Sequence, residues 1–281
     1  MRIAGHTIGI SGEAEEVMLK GMNGFGVFVS QESPEWEVAF GCDVRMGEYR
    51  MLYGFEFEGG DVDCRFGRDG EDYVFEMIPK KGDVLPLRMR YDGGSRVEAD
   101  RAANATLLRF GLWMAFVLMG MKRGVMPIHA SVVVHRGKAA LFLGESGTGK
   151  SPHTRLWLRH IEDTMLLNDD SPILAVEDGR AVVYGSPWSG KTACYVDECY
   201  PVAAMTRLSQ AKENRMERQP VLSAVAALQP SLPPALAYDE DGADCQMRLI
   251  SALLQSVPVY RLECLPDEAA ARLSCRTIFG A

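Results

Sequence analysis

The sequence predicts an α/β (α+β) chain, with a mixed-sheet core preceded by a smaller antiparallel β-rich N-terminal domain, and three observations carry that expectation. Short runs rich in Val, Phe, Tyr and Met recur between residues 25 and 91, each closed by turn residues. Two apolar runs, 130–135 and 138–144, are separated only by Arg136 and Gly137. A glycine-rich loop, Gly144 to Ser151, joins the second of these runs to a helix-like segment. At 281 residues and 47% hydrophobic content, the chain can bury the cores of two ordinary domains.

In the first domain the strand candidates are FGVFVS (25–30), WEVAFG (36–41), YRMLYGFEFEGG (49–60), VDCRFG (62–67), DYVFEMIP (72–79) and VLPLRMRY (84–91). Gly-Gly-Asp, Arg-Asp-Gly and Lys-Lys-Gly-Asp punctuate them, the pattern of an antiparallel meander. The polar stretch YDGGSRVEADRAAN (91–104) breaks that pattern and places the domain boundary near residue 100, giving domains of 1–100 and 101–281.

The second domain opens with a buried helix from Leu107 to Met121, ending at Gly124. Its apolar stretch, Phe110 to Met121, falls short of the ~20 residues a membrane helix needs. The two-residue connection Arg136-Gly137 then decides topology, because parallel neighbours need a crossover of about a dozen residues or more. The strand feeding the glycine loop therefore has an antiparallel partner before it. Further along, TMLLNDD (164–170) and VAAMTRLSQ (202–210) read as strands, and ILAVEDGRAVVYG (173–185) as a hairpin turning at Asp178-Gly179. Pro220 to Leu228 and Ala243 to Ser256 read as helices, VPVYRLEC (257–264) as a strand, and Pro266-Asp267-Glu268 as the first turn of a last helix.

Composition excludes several classes. With 38 acidic against 30 basic side chains, a net charge of −8 and no basic block, no nucleic-acid partner is expected. The seven cysteines are scattered without a C-x-x-C pair, which points to free thiols in a reducing cytoplasm. The N-terminus becomes acidic at once and has no secretory pattern, and no membrane partner is expected. The oligomeric state, a homo-oligomer included, is open.

The loop Gly144-Glu145-Ser146-Gly147-Thr148-Gly149-Lys150-Ser151 matches G-x-x-x-x-G-K-[ST] in full. By average residue usage, that match arises by chance in roughly one chain in a hundred. Its glycines let backbone N–H groups face phosphate oxygens, Lys150 neutralises phosphate charge from an exposed position, and the Ser151 hydroxyl reaches Mg²⁺. Pro152 follows, removing one N–H from the first helical turn and disfavouring helical geometry at Ser151, so nucleotide binding is expected to be weakened but kept. Asp169 and Asp170 end a strand, so one carboxylate can serve a metal and the other an incoming hydroxyl; alone, such a pair before Ser-Pro reads as a capped turn. His129 precedes the hairpin, which could carry it to the phosphate end of the site, although a lone histidine can equally be structural. The loop GSPWSGK (185–191) supplies a second cation, Lys191.

Together, His129-Ala130-Ser131, the hairpin into GESGTGKS, and Asn168-Asp169-Asp170 resemble the catalytic domain of the HPr kinase/phosphorylase family, which shares a nucleotide-binding core with phosphoenolpyruvate carboxykinases. The resemblance covers roughly residues 125–215. It implies a mixed-sheet P-loop core, ATP and Mg²⁺ as cofactors, Asp169 as base towards a serine hydroxyl, and Asp170 with Ser151 on the metal. The activity it implies is transfer of a γ-phosphoryl group to a hydroxyl on a peptide, protein or small molecule. The β-rich domain of residues 1–100 does not resemble the usual N-terminal domain of that family and is expected to select or dock the acceptor. Pro152 departs from the Glu or Thr usual at its position, and no counterpart of a glycine-rich E-x-R-G-L-G-I signature follows the core. A catalytically silent nucleotide-binding module and a carboxykinase-type lyase are the competing readings.

Overall fold

The computed structural model describes residues 1–57, 61–190 and 192–280, which form two mixed sheets and six α-helices. Contacts divide the chain into two compact units, Met1–Arg123 with Ala235–Ala243, and Gly124–Pro234 with Asp244–Ala281. The sequence put the boundary near residue 100; the contacts put it after Arg123 and return a downstream segment to the first unit.

The first unit contains β1 (Arg2–Ile3), β2 (His6–Ser11), α1 (Glu13–Gly21), β3 (Trp36–Phe40), β4 (Arg50–Glu56), β5 (Val62–Asp69), β6 (Asp72–Pro79), β7 (Leu87–Tyr91), β8 (Arg96–Ala99) and α2 (Ala105–Met121). Strands β4 to β7 form the expected antiparallel meander and β8 extends it, but β3, expected within the meander, pairs in parallel with both β8 and β2. Two further expectations fail here. FGVFVS is no strand: Phe25–Phe28 is a 3₁₀ turn whose Phe25 and Phe28, three apart, are buried while Val27 and Val29 are exposed. The polar stretch after Tyr91 is not all loop, since it holds β8.

Helix α2 starts at Asn104, whose side chain accepts from the Leu107 N–H, and lies close over β7. A Cβ at Gly111 would stand 2.7 Å from Leu87 Cδ2, so the small residue sets that approach. The returning segment is fixed by Asp239, which accepts from Arg68 Nε at 2.8 Å and from the Tyr73 hydroxyl at 2.9 Å, while Arg68 stacks on Tyr73.

The second unit contains β9 (Met126–Pro127), β10 (Ala130–His135), β11 (Lys138–Leu143), α3 (Lys150–His160), β12 (Thr164–Asp170), β13 (Ile173–Glu177), β14 (Arg180–Tyr184), β15 (Cys199–Gln210), β16 (Arg215–Arg218), α4 (Val221–Leu228), the later part of α5 (Glu240–Ser256), β17 (Val259–Cys264) and α6 (Glu268–Phe279). Its sheet runs β12-β10-β11-β15-β14-β13-β9, with β17 also parallel to β15 and β16 antiparallel to β17. Strands β10 and β11 are the antiparallel pair expected, turning through Arg136 and Gly137, both at positive φ as a tight hairpin turn requires. The core gathers Val133, Phe142, Trp157, Leu208 and Leu262 against Ala271 of α6. Trp157 buries its ring and donates its N–H to Ser274 Oγ at 2.9 Å, which satisfies its one polar atom. Among the described residues no helix is long and apolar enough to cross a membrane.

Candidate functional site

Strand β11 is buried to Leu143, and the chain then turns through Gly144, Gly147 and Gly149, all at positive φ, before α3 begins. Gly144 is required twice over: its φ is +152°, and a Cβ there would lie 2.5 Å from Thr148 Oγ1. Thr148 closes the loop on itself, its hydroxyl donating to the Glu145 carbonyl at 2.8 Å. Glu145, Ser146 and Gly147 face solvent. The first intrahelical bond runs from the His153 N–H to the Gly149 carbonyl at 2.9 Å, so the N–H groups before it are free of the helix ladder. Ser151 is helical despite Pro152 after it, and Pro152 itself is exposed in the first turn. The backbone cost expected at Ser151 is therefore absorbed without breaking the helix.

Lys150 departs from expectation, for it is packed rather than exposed, with 9% of its surface accessible. Its ammonium donates to the Gly144 carbonyl at 2.8 Å, the Glu145 carbonyl at 3.2 Å and His129 Nε2 at 2.8 Å. Burial pushes its pKa below the ordinary lysine range, partly offset by the charges of Asp170, Asp169 and Glu145. Because Nε2 of His129 accepts from the lysine, its proton sits on Nδ1, which lies 3.3 Å from Asp170 Oδ1. His129 thus bridges lysine and carboxylate, and its backbone N–H is anchored on the Ser231 carbonyl at 2.7 Å.

The two aspartates arrive by register. Strand β12 pairs with β10 so that Asp169 lies opposite Ser131 and Asp170 opposite Ala130. Asp169 is 6% exposed, and no side chain among the described residues hydrogen-bonds its carboxylate; Asp170 is partly exposed and pairs with His129. His129, Lys150, Asp169 and Asp170 thus gather at one end of the sheet, with Ser151 in the adjoining first turn of α3. Lys191 lies outside the described residues.

Four supporting groups have roles that the sequence did not announce, although Asn168 and Ser131 stand within its motifs. Asn168, fully buried, accepts from the N–H groups of Asp170 and Ser171 and donates to the Trp188 carbonyl at 3.2 Å, fixing the aspartates to the loop after β14. Ser131 and Thr154 share a buried hydroxyl–hydroxyl bond of 2.9 Å between β10 and α3. From β15, Arg207 reaches Glu145 at 3.1 Å and Gln210 reaches the Gly147 carbonyl at 3.2 Å, bracing the loop from the side.

Among the described residues no group of three or more His, Cys, Asp and Glu is placed so that it could hold a metal ion by itself, while the oxygens of Asp170 and Ser151 are of the kind that a hard cation takes. A Mg²⁺ ion would be held by Asp170, the Ser151 hydroxyl and oxygens of a bound ligand, the arrangement usual for that ion.

No protein-family model matches the chain, and no curated protein matches it. Among solved structures, the HPr(Ser) kinase/phosphatase from Coxiella burnetii is similar at 12% identity and a TM-score of 0.28, over 53% of this chain and 90% of that one. This is a distant structural likeness, from which no residue role or activity is carried across.

Proposed function

We propose that the chain is a phosphotransferase that moves the γ-phosphoryl group of a nucleoside triphosphate, ATP with Mg²⁺, to a hydroxyl on a peptide, protein or small molecule. The observation that carries this reading is the Lys150 ammonium, held by Gly144, Glu145 and His129 at the mouth of a glycine loop, with the carboxylates of Asp169 and Asp170 near enough to act on its charge. Phosphoryl transfer asks for positioning and charge neutralisation more than covalent chemistry from the protein. Loop N–H groups and Lys150 take the phosphate oxygens, and Asp169 takes the proton of the acceptor hydroxyl as its oxygen bonds to the γ phosphorus. The bond from that phosphorus to the bridging oxygen breaks, and the nucleoside diphosphate leaves with the electron pair. Held by Asp170 and the Ser151 hydroxyl, Mg²⁺ would supply neutralisation of the phosphate charge. His129 lies between Asp170 and Lys150, with Nδ1 3.3 Å from the carboxylate and Nε2 2.8 Å from the ammonium, and so sets the position of both.

Incubation with γ-labelled ATP, Mg²⁺ and hydroxyl acceptors tests the proposal. Label moving to an acceptor, or slow hydrolysis without one, is the expected result; neither appearing ends the reading. The β-rich unit is proposed to select the acceptor. Deleting residues 1–100 is a poor test of that role, because it removes Arg68 from Asp239 and the strands beneath α2.

Pro152 favours a weaker site, because a threonine there would offer phosphate one more N–H. A hydrogen bond to a charged group is worth ~1.5–3 kcal/mol, so Pro152→Thr is expected to tighten Mg²⁺-nucleotide binding by about tenfold to a hundredfold. Titration calorimetry reads this directly, and unchanged affinity would mean that the loop loses nothing by its proline.

A further inference from the structure

Beside the glycine loop lies a cleft of about 400 Å³ whose occupant is not fixed by the phosphate chemistry. Pro152, Leu208, Cys264 and Leu265 supply apolar surface, and Gly147 and Gln210 lie on its loop side. The cleft touches the loop at Gly147, Thr148 and Gly149, away from His129 and the aspartates, which do not line it. With the γ end of a triphosphate at Lys150 and Asp169, which do not line the cleft, the loop residues Gly147, Thr148 and Gly149 and the helix residue Pro152, which do, would lead its other end there. Resting on the phosphotransferase reading, we infer that this cleft receives the nucleoside end of the nucleotide and does so with little discrimination between bases.

The lack of discrimination follows from where the polar groups point. Gln210 Nε2 is committed to the Gly147 carbonyl at 3.2 Å, the Ala211 N–H to the Cys264 carbonyl at 3.1 Å, and the Leu265 N–H to Asn214 Oδ1 at 2.8 Å; the ring of His153 also borders the cleft, but it is buried, with Nε2 on Ser274 Oγ at 3.1 Å and an unpartnered Nδ1 that is closed to solvent. Burial, with the charge of Asp267, pushes the Cys264 thiol up to about 11, so it is uncharged at neutral pH. A pocket that reads a base edge needs uncommitted donors and acceptors, whereas an apolar pocket separates related ligands by about tenfold to two-hundredfold at most. Volume and apolar lining match a small-molecule pocket of ordinary size.

Titration calorimetry on the full chain with ATP, GTP and tripolyphosphate, each with Mg²⁺, tests this. ATP and GTP are expected within about tenfold of each other, and both about tenfold to a hundredfold tighter than tripolyphosphate, the return on burying a sugar and base. Leu265 is 38% exposed, so Leu265→Trp fills the cleft from the surface; it is expected to bring ATP down to the tripolyphosphate level while leaving tripolyphosphate unchanged. Leu265→Ala, the milder variant, is expected to weaken ATP several-fold on the same terms. Tripolyphosphate binding as tightly as ATP, ATP indifferent to both variants, or ATP preferred over GTP by more than a thousandfold overturns the inference while the phosphate site stands. No binding of any of the three ligands overturns the phosphotransferase reading, and the inference with it.

Discussion

Asp169→Asn is expected to lower phosphoryl turnover by about a hundredfold to ten-thousandfold while leaving nucleotide affinity within a few-fold, the signature of a base that acts in the transition state. Asparagine keeps the size and shape of the side chain but cannot take a proton. The backbone around it is held independently, since the Gly190 N–H bonds the Asp169 carbonyl at 3.0 Å and Asn168 fixes the residues after it. The loss therefore reports chemistry and not a collapsed strand. Asp170→Asn should behave differently, raising the apparent KM for Mg²⁺-nucleotide, because Asp170 is the proposed metal ligand and the partner of His129. Steady-state kinetics of the two variants separates these roles. Equal losses in turnover and affinity for Asp169→Asn would move that residue onto the metal, and full activity would remove it from the reaction.

Why this end of the sheet could be read in advance is a matter of local chemistry. A gap of two residues permits one topology, so the β10–β11 hairpin and the direction of β11 into the glycine loop follow from Arg136 and Gly137 alone. The helix after residue 266 was equally local: Asp267 caps it, accepting from the Ala270 N–H at 2.9 Å. Register then did the rest, bringing Asp169 and Asp170 beside His129 because β10 and β12 share an edge.

What could not be read depended on distant or very short patterns. Strand β8 alternates exposed Arg96 and Glu98 with buried Val97 and Ala99, but four residues of period two do not stand out from a polar loop. Phe25 and Phe28 are spaced for one face of a tight helical turn inside a run whose composition favours a strand, so composition misled where spacing was informative. The Arg68–Asp239 pair spans 171 positions, and nothing near either residue announces the other. Asn168 stood in plain view within the Asn-Asp-Asp motif, yet its value lies in bonds to Trp188 and to the backbone after it, which only the folded loop supplies.

Lys150 carries the other large effect, and its burial changes how it has to be tested. Truncation to alanine would remove a packed stem and leave the carbonyls of Gly144 and Glu145 and the ring nitrogen of His129 without their donor, at about 1–3 kcal/mol for each group left unsatisfied. Lost stability would then be confused with lost binding. Lys150→Met keeps most of the stem, though not the three donors, so it removes the packing loss from the comparison and its stability is measured beside its affinity; it is expected to weaken nucleotide binding by roughly a hundredfold or more, because charged hydrogen bonds to two phosphates at ~1.5–3 kcal/mol each disappear. The pH dependence supplies a second, independent reading. Burial lowers the lysine pKa in the free protein, and a triphosphate stabilises the ammonium, so binding takes up a proton above that lowered pKa. Affinity is therefore expected to fall as pH rises through the lowered lysine range, by up to about tenfold per pH unit, well above the last phosphate ionisation near about pH 6. The lysine's own contribution to fold stability moves the opposite way over the same interval, because the unfolded lysine still holds its proton when the folded one has released it; it works against the buried thiols of Cys64, Cys194 and Cys264, whose raised pKa values make stability fall as pH rises. In Lys150→Met the affinity slope and the lysine's share of the stability slope should be absent. Calorimetric titrations and thermal unfolding across the alkaline range measure the two slopes separately, and a wild-type affinity that stays flat there would take Lys150 away from the phosphates.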